Sequence, residues 1–331
     1  MTAMTATINE VAEKCGFDPS TVQQVLSAGI GNIPMQTIRK IMETADEVGY
    51  TGKPHNLGIV YTEESGRGLS HPFFVLVLDA FKQEAEAHGY DITFINHKVI
   101  GEGLSFADRC RSSHLDGVCL VCADFESQEI KDLVESGIPC VTIDHIFRRV
   151  PAVLSDNETG VQDLVEYAIK RGHRRIAFIH GHNNSVVTRA RIKQYRNMMD
   201  YYKLPVPPDY MQEGLYDDIE LTRTLVTKLL MLPERPTCIL LPDDISYLGA
   251  QDAARALGLS IPGDISFAGY DGIPLSQALT PKLTTICQST DMLGKESALR
   301  LINLIEDPSS ANRFPSVYPV KLIEGGTIAQ L

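Results

Sequence analysis

The sequence predicts an α/β protein in which a small three-helix head precedes a two-lobed body built on parallel sheets. The first fifty or so residues carry only the apolar spacing of short helices. From residue 57 onward, short apolar runs alternate with amphipathic stretches, which is the pattern of parallel sheets covered by helices. The body is too long for one compact sheet, so we expect two similar lobes with a cleft between them.

Three short helices are predicted in the head. Thr7 and Glu10 have the spacing of a capping box, and the helix that they begin ends at Gly16. Pro19 occupies the first position of the second helix, and Pro34 begins the third. Two short helices joined by a glycine-containing turn and packed by a third form a helix-turn-helix unit.

The body alternates between seven predicted strands and six predicted helices. The predicted strands are Leu57–Tyr61, Ile92–Ile95, Gly117–Cys122, Cys140–Ile143, Ile176–Ile179, Cys238–Leu241 and Ile265–Ala268. The predicted helices are Phe74–His88, Gln128–Ser136, Thr159–Arg171, Arg189–Tyr202, Ile219–Met231 and Ser246–Leu257. Ligands of such sheets bind beyond the carboxyl ends of the strands, so polar residues that follow a strand are the candidates for a site.

Composition and charge exclude several classes of protein. The 331 residues are 44% hydrophobic and 22% charged, and the net charge of −12 argues against a basic protein that coats nucleic acid. Residues 1–9 lack the pattern of a secretory signal, and no run approaches the roughly 20 apolar residues that cross a bilayer. Seven cysteines, an odd number, then indicate reduced thiols. We therefore expect a cytoplasmic protein without a membrane partner.

No metal site, no cofactor and no catalytic centre are predicted. Cys119 and Cys122 have the spacing of a metal or redox motif, but they lie within one apolar run and no second pair exists, which favours buried thiols. His180 and His182 follow a strand without a third ligand at a known spacing, which favours a loop. The glycine-rich phosphate and dinucleotide motifs, the zinc-protease motif and the serine-hydrolase motif are all missing.

The order of short motifs along the chain is the most specific feature of the sequence. The motifs are Thr7–Gly16, Ser20–Val22, Gly49–Tyr50, His71–Phe74, Leu115–Gly117, Gly137–Asp144, Asp156–Gly160, Gly172–Ala177, Gly258–Asp271 and Pro281–Gln288. Their shared order over about 300 residues resembles the lactose/galactose repressor (LacI/GalR) family of transcription regulators.

The resemblance implies a head that binds DNA and a body shaped like a periplasmic sugar-binding protein that takes a small-molecule effector. It also implies a homodimer whose two heads bind the half-sites of a pseudo-palindromic operator, paired through Phe74–His88 and the segment after Gly294. Residues 1–50 are then the head, 51–56 a short linker and 57–331 the effector-binding domain. The predicted N-lobe comprises residues 57–155 and 289–318, and the C-lobe 156–288 and 319–331.

Five residues of the head are predicted to contact DNA. Pro19, Ser20 and Gln24 match the positions at which the family contacts bases. A glutamine can bond adenine N6 and N7 together, whereas proline offers only apolar contact. Thr21, near the start of the second helix, is a candidate phosphate donor, and Thr7 completes the set. The alternative is that these residues form an ordinary solvated helix face.

Two features of the head depart from the family pattern. Residues 1–52 contain three basic and six acidic residues, a net charge of −3, although phosphate neutralisation supplies much of the affinity for DNA. The six residues 51–56, with Gly52 and Pro54, are too few for the hinge helix that the family inserts into the minor groove. We therefore expect a shorter footprint or a lower affinity. An alternative function stays open, a cytoplasmic sugar or nucleoside sensor that has lost operator binding.

The resemblance also implies where the effector binds. Arg191 matches the arginine that grips the ligand, and its guanidinium suits vicinal hydroxyls or a carboxylate. Asp144 and Asp271 follow strands and can accept hydrogen bonds, while Phe73 and Tyr216 offer aromatic walls for a sugar ring. The predicted effector contacts are Phe73, Asp144, Arg191, Tyr216, Asp243, Asp271 and Gln288. A neutral sugar and a cationic ligand both remain possible.

Five neighbouring residues are predicted to be structural. Asp156 and Asn157 have the position of a helix cap rather than of ligand groups. Phe267 and Tyr270 are expected in the core. Asp244 matches a family aspartate whose role is at least partly structural.

Overall fold

The structure is a computed structural model, and it describes most of the chain. The described residues are 6–26, 33–50, 55–61, 71–95 and 103–331. The predicted linker 51–56 lies outside them except for His55 and Asn56, so the expectation that the hinge helix is missing concerns residues that the structure does not describe.

Helices and strands alternate along the described body, as the sequence predicts. The described helices are α1 (Ile8–Cys15), α2 (Pro19–Leu26), α3 (Met35–Glu47), α4 (Pro72–Ala87), α5 (Phe106–Ser112), α6 (Gln128–Glu135), α7 (Asn157–Lys170), α8 (Val186–Tyr201), α9 (Ile219–Leu230), α10 (Ser246–Ala256), α11 (Pro274–Ala278) and α12 (Thr290–Glu306). The described strands are β1 (Asn56–Tyr61), β2 (Asp91–Ile95), β3 (Gly117–Val121), β4 (Cys140–Ile143), β5 (Ala152–Ser155), β6 (Ile176–His180), β7 (Met211–Glu213), β8 (Cys238–Leu240), β9 (Ser266–Ala268), β10 (Thr285–Cys287), β11 (Ser316–Tyr318) and β12 (Lys321–Ile323).

The three-helix head is confirmed. The Thr7 hydroxyl accepts a hydrogen bond from the Glu10 N–H at 3.3 Å, and the Glu10 carboxylate accepts one from the Thr7 N–H at 2.6 Å, which completes the capping box. Gly16 ends α1 in the left-handed region at φ +78°, where glycine carries no steric penalty. Fully buried side chains such as Val22 and Ile41 form the small core of the head.

A six-stranded parallel sheet organises the N-lobe, in the order β11-β5-β4-β3-β1-β2. Helices α4 and α12 pack together on one face, around a core that includes Phe81 and Leu301. Helices α5 and α6 cover the other face, around Phe106 and Leu133. The central strands β3 and β4 are buried along their whole length, because both faces of the sheet are covered.

A four-stranded parallel sheet organises the C-lobe, in the order β7-β6-β8-β9. Helices α7 and α8 contribute to one core and α9 and α10 to another. The chain crosses between the lobes after β5, after β10 and after β11, and the antiparallel pair β10–β12 lies where two of these crossings meet. In the part of the chain that the structure describes, no helix combines the length and apolar character needed to cross a membrane.

Candidate functional site

A cavity of about 460 Å³ lies between the two lobes, at the carboxyl ends of their strands. Its lining residues follow β1, β3 and β4 in the N-lobe and β6, β7 and β9 in the C-lobe. The structure brings six of the seven predicted effector contacts to this cavity. They are Phe73, Asp144, Arg191, Tyr216, Asp271 and Gln288. That these residues bind an effector stays a prediction.

Arg191 extends from α8 with its guanidinium buried against the C-lobe wall. Its Nε donates to the Asn157 side-chain oxygen at 2.8 Å, and its Nη1 donates to the Pro242 carbonyl at 3.1 Å. The ring of Tyr270 lies beneath the guanidinium, with 3.5 Å between the guanidinium carbon and the ring centroid. Within the described residues Nη2 makes no hydrogen bond. One edge of the guanidinium is therefore held rigidly while the other is available to a ligand.

One structural prediction near Arg191 needs correction, and a second is confirmed with an added role. Asp156 does cap α7, since its carboxylate accepts from the Thr159 N–H at 3.0 Å. Asn157, predicted to share that role, instead orients Arg191. Tyr270 is buried in the core as predicted, but its ring also supports the guanidinium, a second role that the sequence pattern did not indicate.

Asp144 directly follows β4 and faces Arg191 from the N-lobe side of the cavity. Its backbone is left-handed at φ +60°, and its Oδ1 accepts one long hydrogen bond, 3.4 Å from the Ser155 N–H. Burial raises the pKa of Asp144 to about 6 and Asp271 reinforces the rise, although Arg191 and the Ser155 bond oppose it. The carboxylate is therefore poorly compensated by the protein itself.

Asp271 connects the two lobes at the base of the cavity. Its Oδ1 accepts from Gln288 Nε2 at 2.6 Å, and its Oδ2 lies 3.7 Å from His71 Nε2, at the start of α4. Gln288 follows β10, at a chain crossing, so one carboxylate contacts both a crossing and the N-lobe. Among the described residues, His71 Nδ1 and Gln288 Oε1 are buried and have no hydrogen-bond partner. Both residues line the cavity, although these two atoms are themselves shielded from it.

Tyr216 forms an aromatic part of the C-lobe wall. Its hydroxyl shares a 2.8 Å hydrogen bond with the Thr188 hydroxyl. Its ring lies directly against Gly181, where a Cβ would come within 2.2 Å of a ring carbon, so only glycine permits this position. Burial raises the pKa of Tyr216, and the phenol therefore stays protonated at neutral pH.

The N-lobe wall contains more aromatic rings than the sequence analysis predicted. Phe73 and Phe74 pack edge to face at 5.1 Å, and Tyr61 packs on Phe74 at 6.2 Å. Phe125 and His145 stack at 4.3 Å with an interplanar angle of 7°. All five line the cavity, and four of them were missed. The sequence pattern of these four residues is weak, because only a position near the end of a strand distinguishes such a residue from an aromatic residue of the core.

Asp243 is the predicted effector contact that does not line the cavity. Its carboxylate is fully buried and accepts from the Ser246 N–H at 2.7 Å and the Asp217 N–H at 2.8 Å. Burial raises its pKa. Because both oxygens bind backbone, Asp243 fixes the cavity-lining loop at Asp217. The neighbouring Asp244 has the structural role that was predicted, since it accepts from the Thr285 hydroxyl at 2.5 Å.

The predicted DNA contacts lie at the start of α2 and at the cap of α1. Pro19, Ser20 and Gln24 are exposed, and Thr21 is half-buried. The Ser20 hydroxyl donates to the Asp18 carboxylate at 2.6 Å. The Thr7 hydroxyl is part of the capping box, so any DNA contact would be an additional role. Exposure of polar side chains on α2 fits a helix that enters a groove.

The cysteine and metal predictions have separate outcomes. Cys119 is buried, and burial raises the pKa of its thiol. Cys122 was expected to be buried too, but β3 ends at Val121 and Cys122 lies half-exposed at the cavity, with φ +48°. The described ranges contain no group of three or more His, Cys, Asp or Glu side chains that could hold a metal ion.

Comparison with known proteins gives a consistent picture. Residues 54–321 match the family described as periplasmic binding proteins and sugar binding domain of the LacI family. The chain is 29% identical over 317 residues to a Bacillus subtilis (strain 168) protein named probable HTH-type transcriptional repressor ExuR, covering 92% of this chain and 93% of that protein. It is 26% identical to the HTH-type transcriptional repressor PurR of Vibrio parahaemolyticus, covering 98% and 99%. The solved structure of the transcriptional regulator CelR with cellobiose superposes with a TM-score of 0.72 at 22% identity, covering 97% and 99%.

Proposed function

Because the chain belongs to the LacI family, we propose that it is a ligand-responsive transcriptional regulator, whose head binds operator DNA and whose lobes enclose a small polar effector. Relatives that span nearly the whole chain are named as transcriptional repressors, which supports regulation rather than catalysis. The proposal includes the division into head, residues 1–50, linker, 51–56, and effector-binding domain, 57–331. It also includes a cytoplasmic location.

The arrangement around Arg191 is the observation that carries the effector half of the proposal. One guanidinium edge is held by Asn157, Pro242 and Tyr270, and the other faces a cavity between the lobes. Asp144 belongs to the opposite lobe. A ligand that bonds both residues would favour the arrangement in which the lobes are close, and it can shift that equilibrium only by its differential affinity. The effector would in this way change how two heads are spaced.

A homodimer would bring two heads to two half-sites. Helix α4 exposes the apolar side chains of Val75 and Leu76, and α12 exposes Met292. These helices pack against each other, so their exposed residues belong to one side of the N-lobe. We propose this side as the dimer face, with a pseudo-palindromic operator as the DNA partner. Crosslinking of a Met292→Cys variant in the presence of operator DNA would test it.

Replacement of Arg191 tests the effector site. We expect a thermal-shift screen of neutral sugars, sugar acids and nucleosides to identify at least one stabilising ligand. Arg191→Ala should weaken its binding by about 10- to 100-fold, because hydrogen bonds to a charged group are lost. Arg196→Ala removes an exposed arginine from the same helix, away from the cavity, and serves as the control. An unchanged shift in Arg191→Ala would contradict the proposed site.

The DNA half needs a separate measurement. We expect the full-length protein to retain specific DNA fragments from a genomic pool at low salt. Addition of the effector should change the affinity for these fragments, either lowering or raising it. Arg191→Ala should still retain the fragments but should no longer respond to the effector. Retention of no fragment at any salt concentration would contradict DNA binding.

One observation favours the second candidate function, a cytoplasmic sensor without operator binding. The head has a net charge of −3, and Lys14, one of its three basic residues, forms a 3.2 Å ion pair with Glu47. Fewer cations are then available to phosphates. This alternative predicts that removal of residues 1–54 leaves ligand affinity unchanged and that the intact chain binds no DNA.

A further inference from the structure

Negative charge exceeds positive charge around the cavity. Within the ranges that the structure describes, Arg191 is the one Lys or Arg residue of the lining. The lining carboxylates are Asp124, Glu126, Asp144, Asp217, Asp218 and Asp271. Three histidines, His71, His145 and His182, also border it, and burial lowers the pKa of His145, so its ring is neutral at pH 7. Lys131 and Arg189, outside the lining, act electrostatically on Glu126 and His145, and Lys131 pairs with Glu126 at 3.0 Å. On the described lining itself the carboxylates still outnumber the cations.

The charge of Arg191 is already opposed within the site. Asp144 from the N-lobe side and Asp271 from the base of the cavity both interact electrostatically with the guanidinium. A carboxylate or phosphate placed beside Arg191 would also lie near these two like charges in a partly desolvated site, where repulsion is weakly screened. An ammonium group placed there would meet the guanidinium itself. A neutral group that both donates and accepts hydrogen bonds avoids both penalties.

The Asp144 carboxylate, a hydrogen-bond acceptor, is best matched by a hydrogen-bond donor of the ligand. Among the described residues, the Asp144 carboxylate accepts one long bond, 3.4 Å from the Ser155 N–H. The carboxylate or phosphate group of an ionised acid cannot donate to Asp144, whereas a hydroxyl can donate to it and accept from Arg191. His71 Nδ1 and Gln288 Oε1, unpaired within the described ranges, are shielded from solvent, so they would bind a ligand only after their side chains turn toward the cavity.

These observations deepen the proposed function and rest on it. We infer that the cavity selects an uncharged polyhydroxyl effector over the acidic analogues of the same molecule, and that Asp144 is the residue that makes this selection. Asp144 is suited to the role because its carboxylate has little compensation from the protein and lines the same cavity as Arg191 from the other lobe. It repels an anion at the position where the guanidinium would otherwise attract one.

The backbone at Asp144 makes a clean substitution available. Its φ of +60° lies in the left-handed region, which asparagine tolerates better than most residues. Asp144→Asn therefore removes the charge while keeping the shape and one acceptor oxygen. Asp217→Asn is a matched control, since Asp217 also lines the cavity and has a φ of +55°, but it lies on the C-lobe wall.

The experiment compares matched ligands on the full-length protein by calorimetry. For the neutral sugar found in the screen, the probes are that sugar, its uronic acid, its 6-phosphate and its 2-amino derivative. Wild type should bind the neutral sugar at least about tenfold more tightly than either acid. Asp144→Asn should reduce this ratio to less than about threefold. Asp217→Asn should keep the ratio of the wild type.

Each other outcome has a distinct meaning. Tighter binding of either acid by the wild type would overturn the inference, and tightest binding of the amino sugar would replace the neutral ligand with a cationic one. An equal loss of discrimination in Asp217→Asn would overturn the assignment to Asp144, because total charge would then decide. If no probe of any charge bound, and Arg191→Ala behaved like wild type, the proposed function itself would fail and this inference with it.

Discussion

Asp144 combines a left-handed backbone conformation with a raised carboxyl pKa. It lies in the left-handed region at the end of β4, and its carboxylate is partly buried with one long hydrogen bond. Burial raises its pKa from the ordinary 3.8 to about 6. The ionised side chain is therefore less stable in the folded chain than in the unfolded chain, a cost that sites for ligands often carry.

Stability should report this cost through its dependence on pH. The folded chain binds the Asp144 proton more tightly, so the contribution is fully present below about pH 4 and lost as pH rises through about 6. We expect Asp144→Asn to raise the free energy of unfolding at pH 8 by about 1–2 kcal/mol. The gain should shrink at pH 4. Urea unfolding followed by circular dichroism measures both values, and a gain that is equal at the two pH values would contradict the prediction.

At the scale of elements, helices α4 and α12 approach each other unusually closely. A Cβ at Gly294 would lie 2.2 Å from the Val77 carbonyl oxygen and 2.6 Å from the Phe81 nitrogen, both backbone atoms that cannot move independently. Glycine at this position is therefore needed for the packing of the two helices, although glycine weakens a helix by itself. The same two helices form the proposed dimer face.

Gly294→Ala should accordingly destabilise the protein. We expect the free energy of unfolding to fall by about 1–3 kcal/mol, because the added methyl group forces the helix backbones apart. Gly263→Ala is the control, since its Cβ would press only on the Ser260 side chain and would disturb at most the exposed hydrogen bond from the Ser260 hydroxyl to Asp264, without moving a helix backbone. Urea denaturation compares the variants. Helix propensity alone would make Gly294→Ala more stable than the wild type. That result would contradict the close packing of α4 and α12 in solution.

In the whole molecule, the number of basic side chains in the head limits how many DNA phosphates can be neutralised. Lys14, Arg39 and Lys40 are the basic residues of positions 1–52. Lys14 pairs with Glu47 at 3.2 Å, and the Lys40 ammonium lies 5.4 Å from the centroid of the Phe17 ring. Few cations thus remain for phosphates, and the proposed dimer has to gain affinity from contacts to bases or from a small number of phosphates.

The dependence of DNA binding on salt measures this number. Each neutralised phosphate contributes about −0.9 to the slope of log affinity against log salt concentration, so three cations in each of two heads give a slope no steeper than about −5. Fluorescence anisotropy between 50 and 200 mM salt would determine the slope on a retained fragment. Glu47→Gln should tighten binding by releasing Lys14, whereas Glu135→Gln in the body should not. A much steeper slope would mean that further cations contact the DNA.

The class of the protein and most of its helices and strands can be predicted from local patterns of amino acids. All seven strands that were predicted from apolar runs lie in the two parallel sheets. The pattern is reliable because parallel strands buried on both faces need continuous apolar residues. The capping box of Thr7 and Glu10 is local chemistry, so its spacing alone predicted the start of α1. Strands β7 and β11 were not predicted, because these edge strands have no run of more than two apolar residues.

Which side chains meet around the cavity, and which hold others in place, depends on the packing of the folded chain. Asp243 and Asn157 had the character of a ligand and a cap, yet they fix a loop and a guanidinium. His71 begins one of the sequence motifs, but its approach to Asp271, 200 residues further along the chain, depends on how α4 packs against the C-lobe. A local pattern determines backbone conformation within a few residues, whereas partners distant in the chain are chosen by how the sheets and helices pack.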